Sequence, residues 1–421
     1  MSGFSRVLFI ICFTAGSITL AIGQAAKSPF SSFGIGEYYG NAMTHNQGMG
    51  GVGISNPQSW FLNNQNPALL TFNRFTTFEA GYIGEVKKIR NSSTKEKNGN
   101  GNLNYLFIGF PIKPGRWTTS FGIMPYSNVN YKLTYSQQIE NTLASVDITE
   151  QGSGGINKAS WSNGVNITRN ISVGARVNYL FSSIDRSFDN QLSNSTDITL
   201  VVPSIHTRQN FSDFNFTGAL SIRKDSLTRK NHRLNFGLVY DFKANVRTRY
   251  FEAVEQKSGI VSTDTLISND IRQTVLPQSL SGGISYGRPD YWTVGVDATW
   301  LDYSQFRDVN GRGQGTSGWR VALGGEFVPD PLSLSGYLKR MTYRAGASVE
   351  NYPYLVNGNS LKDFGINFGL SLPVARYSSL DVAVKMGKRG DISTNTVVEN
   401  YFKIYFGVTF NDQWFIKRKF D

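Results

Sequence analysis

The sequence predicts an all-β fold: a transmembrane antiparallel β-barrel of about 14 strands, an even number as closed bacterial barrels have, with an N-terminal hatch or plug in its lumen. Three observations predict it. The chain opens on a short apolar stretch with the layout of an export signal. From near Phe72 almost to the C-terminus, apolar and polar residues alternate with period two, so one face of each segment suits lipid and the other water. The polar connections between these segments alternate short and long, as in outer-membrane barrels with tight periplasmic turns and larger extracellular loops.

Residues 1–23 read as a secretory signal peptide. Arg6 precedes an apolar stretch from Val7 to Ile22 that ends in Ala21-Ile22-Gly23 before Gln24. No later segment approaches the roughly 18 uninterrupted apolar residues of a spanning helix. The one cysteine, Cys12, lies inside this signal, and Leu8-Phe9-Ile10-Ile11 before it lacks the small-residue pattern that precedes a lipidated cysteine. The mature chain is therefore expected to be thiol-free, which suits passage through an oxidising periplasm.

With 421 residues, 13% aromatic, 17% charged and 43 Gly, the chain can wrap one large closed sheet. Its formal charge is +12, from which removal of the signal takes one basic group, Arg6. Lys and Arg are scattered over polar strand positions and connections, with no basic arm or helix, which argues against nucleic acid. Attraction to membrane lipid headgroups and lipopolysaccharide accounts for such a balance.

Residues 24–71 are Gly-, Asn- and Gln-rich without steady alternation, and read as a hatch that enters the lumen, where irregular backbone can be hydrated or bonded to inward polar groups. Residues 72–412 form the barrel. Its first four strands lie near Phe72 to Val86, Gly101 to Ile112, Arg116 to Gln137 and Ser153 to Arg169. The fifth alternates most clearly: Ile171, Val173, Ala175, Val177, Tyr179 and Phe181 on one face, with Leu180 the exception on the other. Nine further segments repeat the pattern, ending with Phe402, Ile404, Phe406, Val408 and Phe410. Short links fall at Lys113 to Gly115, Arg169-Asn170, Lys224 to Lys230, Gly287 to Asp290, Pro329 to Lys339 and Pro373 to Tyr377. Long loops are expected at Lys87 to Asn100, Gln138 to Gly152, Phe188 to Pro203, Glu252 to Asn269, Phe306 to Ser317, Glu350 to Ser360 and Lys388 to Asn400. Aromatic residues near strand ends, among them Trp117, Tyr131, Trp161, Tyr303 and Trp319, suit girdles at headgroup level. Residues 413–421, with Trp414-Phe415-Ile416 and Lys417-Arg418-Lys419, read as a basic periplasmic tail. Both termini are then expected to be periplasmic.

Within the hatch, Gly48-Met49-Gly50-Gly51-Val52-Gly53 is followed by Asn63-Asn64-Gln65-Asn66-Pro67-Ala68-Leu69-Leu70. Pro67 fixes φ and Asn66 can bond nearby backbone, so Asn66, Pro67 and Ala68 suit a turn into the first strand. The glycines permit positive φ or close backbone approach. This run resembles the FadL/OmpP1/TodX family of outer-membrane barrels, and Pro125-Tyr126 and Asp302-Tyr303-Ser304 extend the resemblance over nearly the whole mature chain. Ser28-Pro29-Phe30 to Gly36 is similar to the mature N-terminus of Bacteroidota barrels. The resemblance implies fourteen strands, a hatch and uptake of hydrophobic small molecules across the outer membrane of a Gram-negative bacterium. One departure stands out: Ser55-Asn56-Pro57-Gln58-Ser59-Trp60-Phe61 carries no acid, and Glu37 is the one acid of the hatch. The apolar Trp60, Phe61 and Leu62 either contact a hydrophobic ligand or wedge the hatch in place.

No chemistry is expected. His45, His206 and His232 are too dispersed to hold a metal, no cofactor motif is present, and Ser204, His206 and Asp213 cannot share one strand face in regular register. Two function classes remain. One is a FadL-like barrel for uptake of a hydrophobic small molecule, its lumen closed by the hatch. The other is a non-transporting plug or accessory subunit of a larger outer-membrane protein machine, such as the type 9 secretion translocon.

Overall fold

The computed structural model describes residues 25–138, 145–192, 203–227, 231–256, 262–313, 315–374 and 378–413. The expected signal peptide and the Lys417-Arg418-Lys419 tail lie outside the described residues. The barrel strands are β1 (Thr76–Arg90), β2 (Lys95–Lys113), β3 (Trp117–Gln138), β4 (Ser145–Asn166), β5 (Ile171–Leu192) and β6 (Pro203–Lys224). Two strands follow that are each broken once: β7 (Arg233–Asp241, then Ala244–Gln256) and β8 (Ser262–Leu276, then Ser279–Arg288). The rest are β9 (Trp292–Asp302), β10 (Ser317–Phe327), β11 (Thr342–Val356), β12 (Asn359–Pro373), β13 (Ser379–Arg389) and β14 (Val398–Asp412). Neighbours pair antiparallel in chain order, and β14 returns to β1 with Asp412 opposite Thr76. Pairing of the last strand with the first closes the sheet into a cylinder, the condition for spanning a bilayer with strands. The break in β8 falls at Pro277, which has no N–H to give a ladder.

The alternation read from sequence is the alternation of the wall. In β1, Phe78, Tyr82 and Val86 point outward and are exposed, whereas Thr77, Glu79, Ile83, Glu85 and Lys87 point inward and are buried. The outer wall carries Phe121, Trp161, Phe216, Leu323 and Phe368, all exposed. Leu180, the exception in the fifth strand, is a fully buried lumen residue.

Several expected loops are strand instead. The ladder of β1 with β2 continues to Arg90 opposite Lys95, and β11 with β12 to Val356 opposite Asn359. Beyond the bilayer both faces of a strand are wetted, so hydrophobic alternation stops while hydrogen bonding continues. The first strand begins at Thr76, because Pro67–Phe72 forms a short 3-10 helix. Tyr131 and Tyr303 belong to no outer girdle, since both are buried in the lumen. For Tyr131 the cause is a β-bulge between Pro125 and Ser127, which reverses which parity of β3 faces inward.

Residues 25–75 run down the lumen. Ala25 to Phe33 lie in the long-loop half, where Phe33 stacks on Tyr354 at 4.9 Å beside the β11–β12 hairpin. Asn56 to Phe61 reach the short-turn mouth. Thus Gln413 follows Asp412 at the short-turn end as expected, but the first described residues lie toward the opposite end.

Burying arginine on the outer wall tests the placement of lipid. Leu323→Arg, mid-strand in β10 and outward, is expected to destabilise the barrel by about 2–4 kcal/mol, read as a shifted urea midpoint for folding into lipid vesicles. An unshifted midpoint would mean that this face does not meet hydrocarbon.

Candidate functional site

The N-terminal segment is held by two kinds of contact. In the long-loop half the contacts are ionic. Glu37 lies between Lys87 at 2.9 Å, Arg389 at 2.8 Å and Lys403 at 3.4 Å. Lys87 also stands 3.7 Å from both Glu85 and Glu399, Lys403 stands 3.3 Å from Glu85, and Arg389 bonds Asp363 at 3.0 Å. Lys385 completes the cluster 3.9 Å from Asp363. Four acids thus face four bases, and Glu37 is the one member the wall does not supply. The Ala26 amide donates to Glu85 and the Ser28 hydroxyl to Glu399, both at 2.6 Å. Burial alone would raise the Glu37 pKa, but Arg389, Lys87 and Lys403 outweigh it and hold the carboxyl well below its usual range.

Below this cluster the contacts are backbone to glycine. Gly50 and Gly51 take positive φ, 71° and 84°, to turn the chain. Met49 lies against Gly324 and Gly346, where a Cβ would come within 2.0 Å and 2.3 Å of its backbone, and Gly48 lies against Gly369. Pro67 and Ala68 press in the same way on Gly164 and Gly174. Asp297 accepts from the Gly53 and Ile54 amides at 2.7 and 2.9 Å, and Asn367 donates to the Gln47 carbonyl at 2.7 Å. Asn66 caps the 3-10 helix through the Ala68 amide at 3.0 Å and donates to the Ile54 carbonyl at 2.7 Å.

Trp60, Phe61 and Leu62 do not act as one patch. Leu62 is buried with Met43, Leu70, Tyr105, Phe107 and Met124. Phe61 stacks on His45 at 4.5 Å, while Trp60 stacks on Phe75 at 5.3 Å and stays partly exposed at the short-turn mouth. The larger apolar body of the lumen lies elsewhere. In the long-loop half Ile35 packs with Val129, Tyr131, Ile156, Leu180 and Phe211, and Tyr38 meets Tyr126 and Tyr303 edge-on. Leu180 was the sequence signal for it. The histidines remain apart: His206 stands 3.5 Å from Asp185, and His232 packs on Tyr286 and Trp292. Ser204 bonds Asp189, and Asp213 accepts the Arg247 amide, so Ser204, His206 and Asp213 serve separate partners.

The wall beside Tyr38 is incomplete. β2 and β3 pair only from Leu106 opposite Ile123 down to Lys113 opposite Trp117. Above that, β2 stays with β1 and β3 with β4, so a seam opens between them. The free edge of β3 is taken by the N-terminal segment: Glu37 pairs with Asn128 and Tyr38 with Ser127, the Tyr39 amide donates to the Tyr126 carbonyl at 3.2 Å, and the Ser28 amide to the Asn130 carbonyl at 2.9 Å.

The protein-family model described as BamG matches residues 4–421. The chain belongs to the BamG family. No curated protein sequence matches it. Among solved structures, this BamG-family chain is similar to the toluene transporter TodX of P. putida, at 15% identity and TM-score 0.56 over 90% of this chain and 100% of that one. It is also similar to the toluene transporter TbuX of Ralstonia pickettii, at 12% identity and TM-score 0.56 over 89% and 99%. A FadL homologue of Pseudomonas aeruginosa gives 14% identity and TM-score 0.52 over 87% and 97%. At these identities the likeness shows the fold: a FadL-like outer-membrane barrel.

Two substitutions probe the segment. Glu37→Gln leaves a buried cation unbalanced and is expected to cost about 3–5 kcal/mol of local stability, seen as faster hydrogen exchange over residues 25–39 in an intact barrel. Because the folded-state pKa is depressed, the stabilisation is complete above the ordinary carboxylate value of about 4.3 and is lost as pH falls through the lower folded value. Exchange protection of the wild-type segment should therefore hold from neutrality down to mild acid and fail only below it, and in Glu37→Gln this acid-sensitive component should be absent. Asn66→Ala strands the Ala68 amide and Ile54 carbonyl, at a cost of about 1–3 kcal/mol, with exchange rising over residues 50–72 instead.

Proposed function

We propose that the protein is an outer-membrane barrel for uptake of hydrophobic small molecules, with residues 24–71 as its hatch and the short-turn end in the periplasm. The observation that carries this reading is the β2–β3 seam beside the apolar body of the lumen. A closed wall has no reason to part its ladder, whereas an apolar solute held at this apolar body needs a sideways route into lipid. Val129 and Tyr131 extend the apolar surface onto β3 itself. Ser127, on the β3 edge opposite Tyr38, has a buried Oγ without a hydrogen-bond partner among the described residues. Solved relatives of the fold include channels described as toluene transporters, which supports the ligand class. Passage then requires residues 35–39 to leave the β3 edge while the Gly48, Met49, Gly50, Gly51 and Gly53 loop and the Asn66-Pro67-Ala68 turn stay seated. In this reading Trp60, Phe61 and Leu62 wedge the base of the hatch.

A second reading, an accessory subunit of a larger outer-membrane machine, is favoured by one observation on the short-turn face. The connection from Val328 to Met341 is ordered by an Asp330 amide to Lys339 carbonyl bond at 2.8 Å, yet it presents Leu332, Leu334 and Leu338 at 79%, 100% and 67% exposure.

The uptake reading is tested with Tyr38→Cys and Ser127→Cys in one chain, positions opposite each other across the β3 edge. The barrel has no native thiol to compete, Cys12 being the one cysteine of the sequence. Oxidation should stop entry of toluene into proteoliposomes and reduction should restore it in the same protein. Equal entry in the two states would rule the seam out as the route, and no entry in either state would favour the subunit reading.

A further inference from the structure

Across the short-turn mouth runs a groove that the uptake reading does not use. It consists of a cleft of about 1010 Å³ floored by Asn56 to Phe61, continuous with a second of about 400 Å³ through Arg233, Pro289, Asp290 and Tyr291. The larger cleft alone lies at the upper limit of small-ligand pockets, about 300–1,000 Å³, and the second extends this trough past Arg233 to Asp225 and Arg288. Its walls mix polar and charged residues with apolar and aromatic ones, among them Trp60, Tyr291, Trp292, Leu332 and Tyr337.

The charge of the trough is one-sided. Five arginines, at 74, 233, 288, 340 and 344, face three acids, Asp225, Asp290 and Glu326. Two of these acids are already engaged: Asp225 pairs with Arg233 at 2.5 Å, and Glu326 accepts from Arg344 at 3.1 Å and Gln58 at 2.7 Å. Arg74, Arg288 and Arg340 have no carboxylate within ion-pair distance among the described residues, and Arg288 and Arg340 instead cover the rings of Tyr291 and Tyr337. Cations along the rim with aromatic faces between them are what a chain carrying carboxylates and apolar side chains complements.

We propose that this trough docks an extended acidic segment of a periplasmic protein, its carboxylates on Arg74, Arg288 and Arg340 and its apolar side chains against Trp60, Leu332 and Tyr337. Arginine's planar fork suits carboxylate capture, and aromatic and Arg residues are the groups that dominate such interfaces. The exposed leucines of the Val328 to Met341 connection then form the outer lip that the partner covers. The inference rests on the sidedness proposed above and is independent of whether a ligand crosses the seam.

The test uses the purified full chain in neutral detergent and two labelled synthetic peptides, one alternating Glu with Leu and Phe, the other with Lys at every Glu. Fluorescence anisotropy should show binding of the acidic peptide alone, weakening as salt rises. Joint Arg74→Glu and Arg340→Glu should weaken it by at least about ten-fold, and Arg74→Lys with Arg340→Lys should lose less, because lysine keeps charge but not the fork. Unboiled migration in SDS confirms that each variant is a closed barrel, and toluene entry should be unchanged, which separates this inference from the uptake reading. Equal binding of both peptides, or an acidic peptide indifferent to charge reversal, overturns the proposal. So does binding of anionic phospholipid vesicles that the same reversal abolishes when neither peptide binds, since the trough is then a headgroup site.

Discussion

Glu37 is the one carboxylate that residues 24–71 bring into the barrel, and the wall around it holds more cation than anion: Lys87, Lys385, Arg389 and Lys403 against Glu85, Asp363 and Glu399. All eight groups are shielded from bulk water or nearly so. An unbalanced charge in such a place costs several kcal/mol, so the wall by itself is electrostatically incomplete and the segment completes it. This fixes the height of Glu37 in the lumen. With Glu37 in place, Tyr38 falls opposite Ser127, Ser28 reaches Glu399 and Ala26 reaches Glu85. The segment's seat against the β3 edge follows from charge balance as much as from the hydrogen bonds of that edge.

The lower half obeys a different constraint. A segment of irregular chain packed inside a cylinder must bring its backbone close to the wall on several sides at once, and any wall side chain at those points would hold it off. Gly324, Gly346 and Gly369 lie on adjacent strands where the Gly48 to Gly50 loop touches, and Gly164 pairs with Gly174 where Pro67 and Ala68 touch. The glycines of the segment and those of the wall are two halves of one interface. Polar side chains do the rest: Asp297, Asn367 and Asn66 meet backbone groups that the irregular chain cannot pair with itself.

The barrel was legible because lipid imposes alternation on every strand that crosses it. Phe78, Tyr82 and Val86 in β1 announce their face without reference to any partner. Legibility stops where lipid stops, which is why Lys87 to Asn100 read as a loop although its ladder continues, and why the bulge at Pro125 hid the inward turn of Tyr131. The capping capacity of Asn66 was readable, since a cap is local, but the turn expected after it is a 3-10 helix, Pro67–Phe72. The partners of Glu37 were not: Arg389 and Lys403 lie more than three hundred residues away and look, in sequence, like ordinary polar positions. The wall glycines were equally silent, because a glycine in a strand does not say what approaches it. Trp60, Phe61 and Leu62 looked like one patch because they are consecutive, yet the chain turns between them and gives each a different neighbour.

The two constraints act on different stretches of the segment, and this separation has a mechanical consequence. Charge and edge pairing hold residues 25–39, while glycine contacts and caps hold residues 46–72, with the short helix Thr44–Gln47 between them. Ionic contacts weaken steeply once water enters, because the screening that burial excludes is restored. Close backbone packing on glycine does not depend on dielectric in this way. Hydration of the long-loop half would therefore loosen the part of the segment that covers the seam and leave the part that closes the short-turn half in place. In the uptake reading proposed above, such a lumen would part its wall sideways without becoming an open pore from end to end, which is the behaviour a membrane needs from a barrel that must not leak ions.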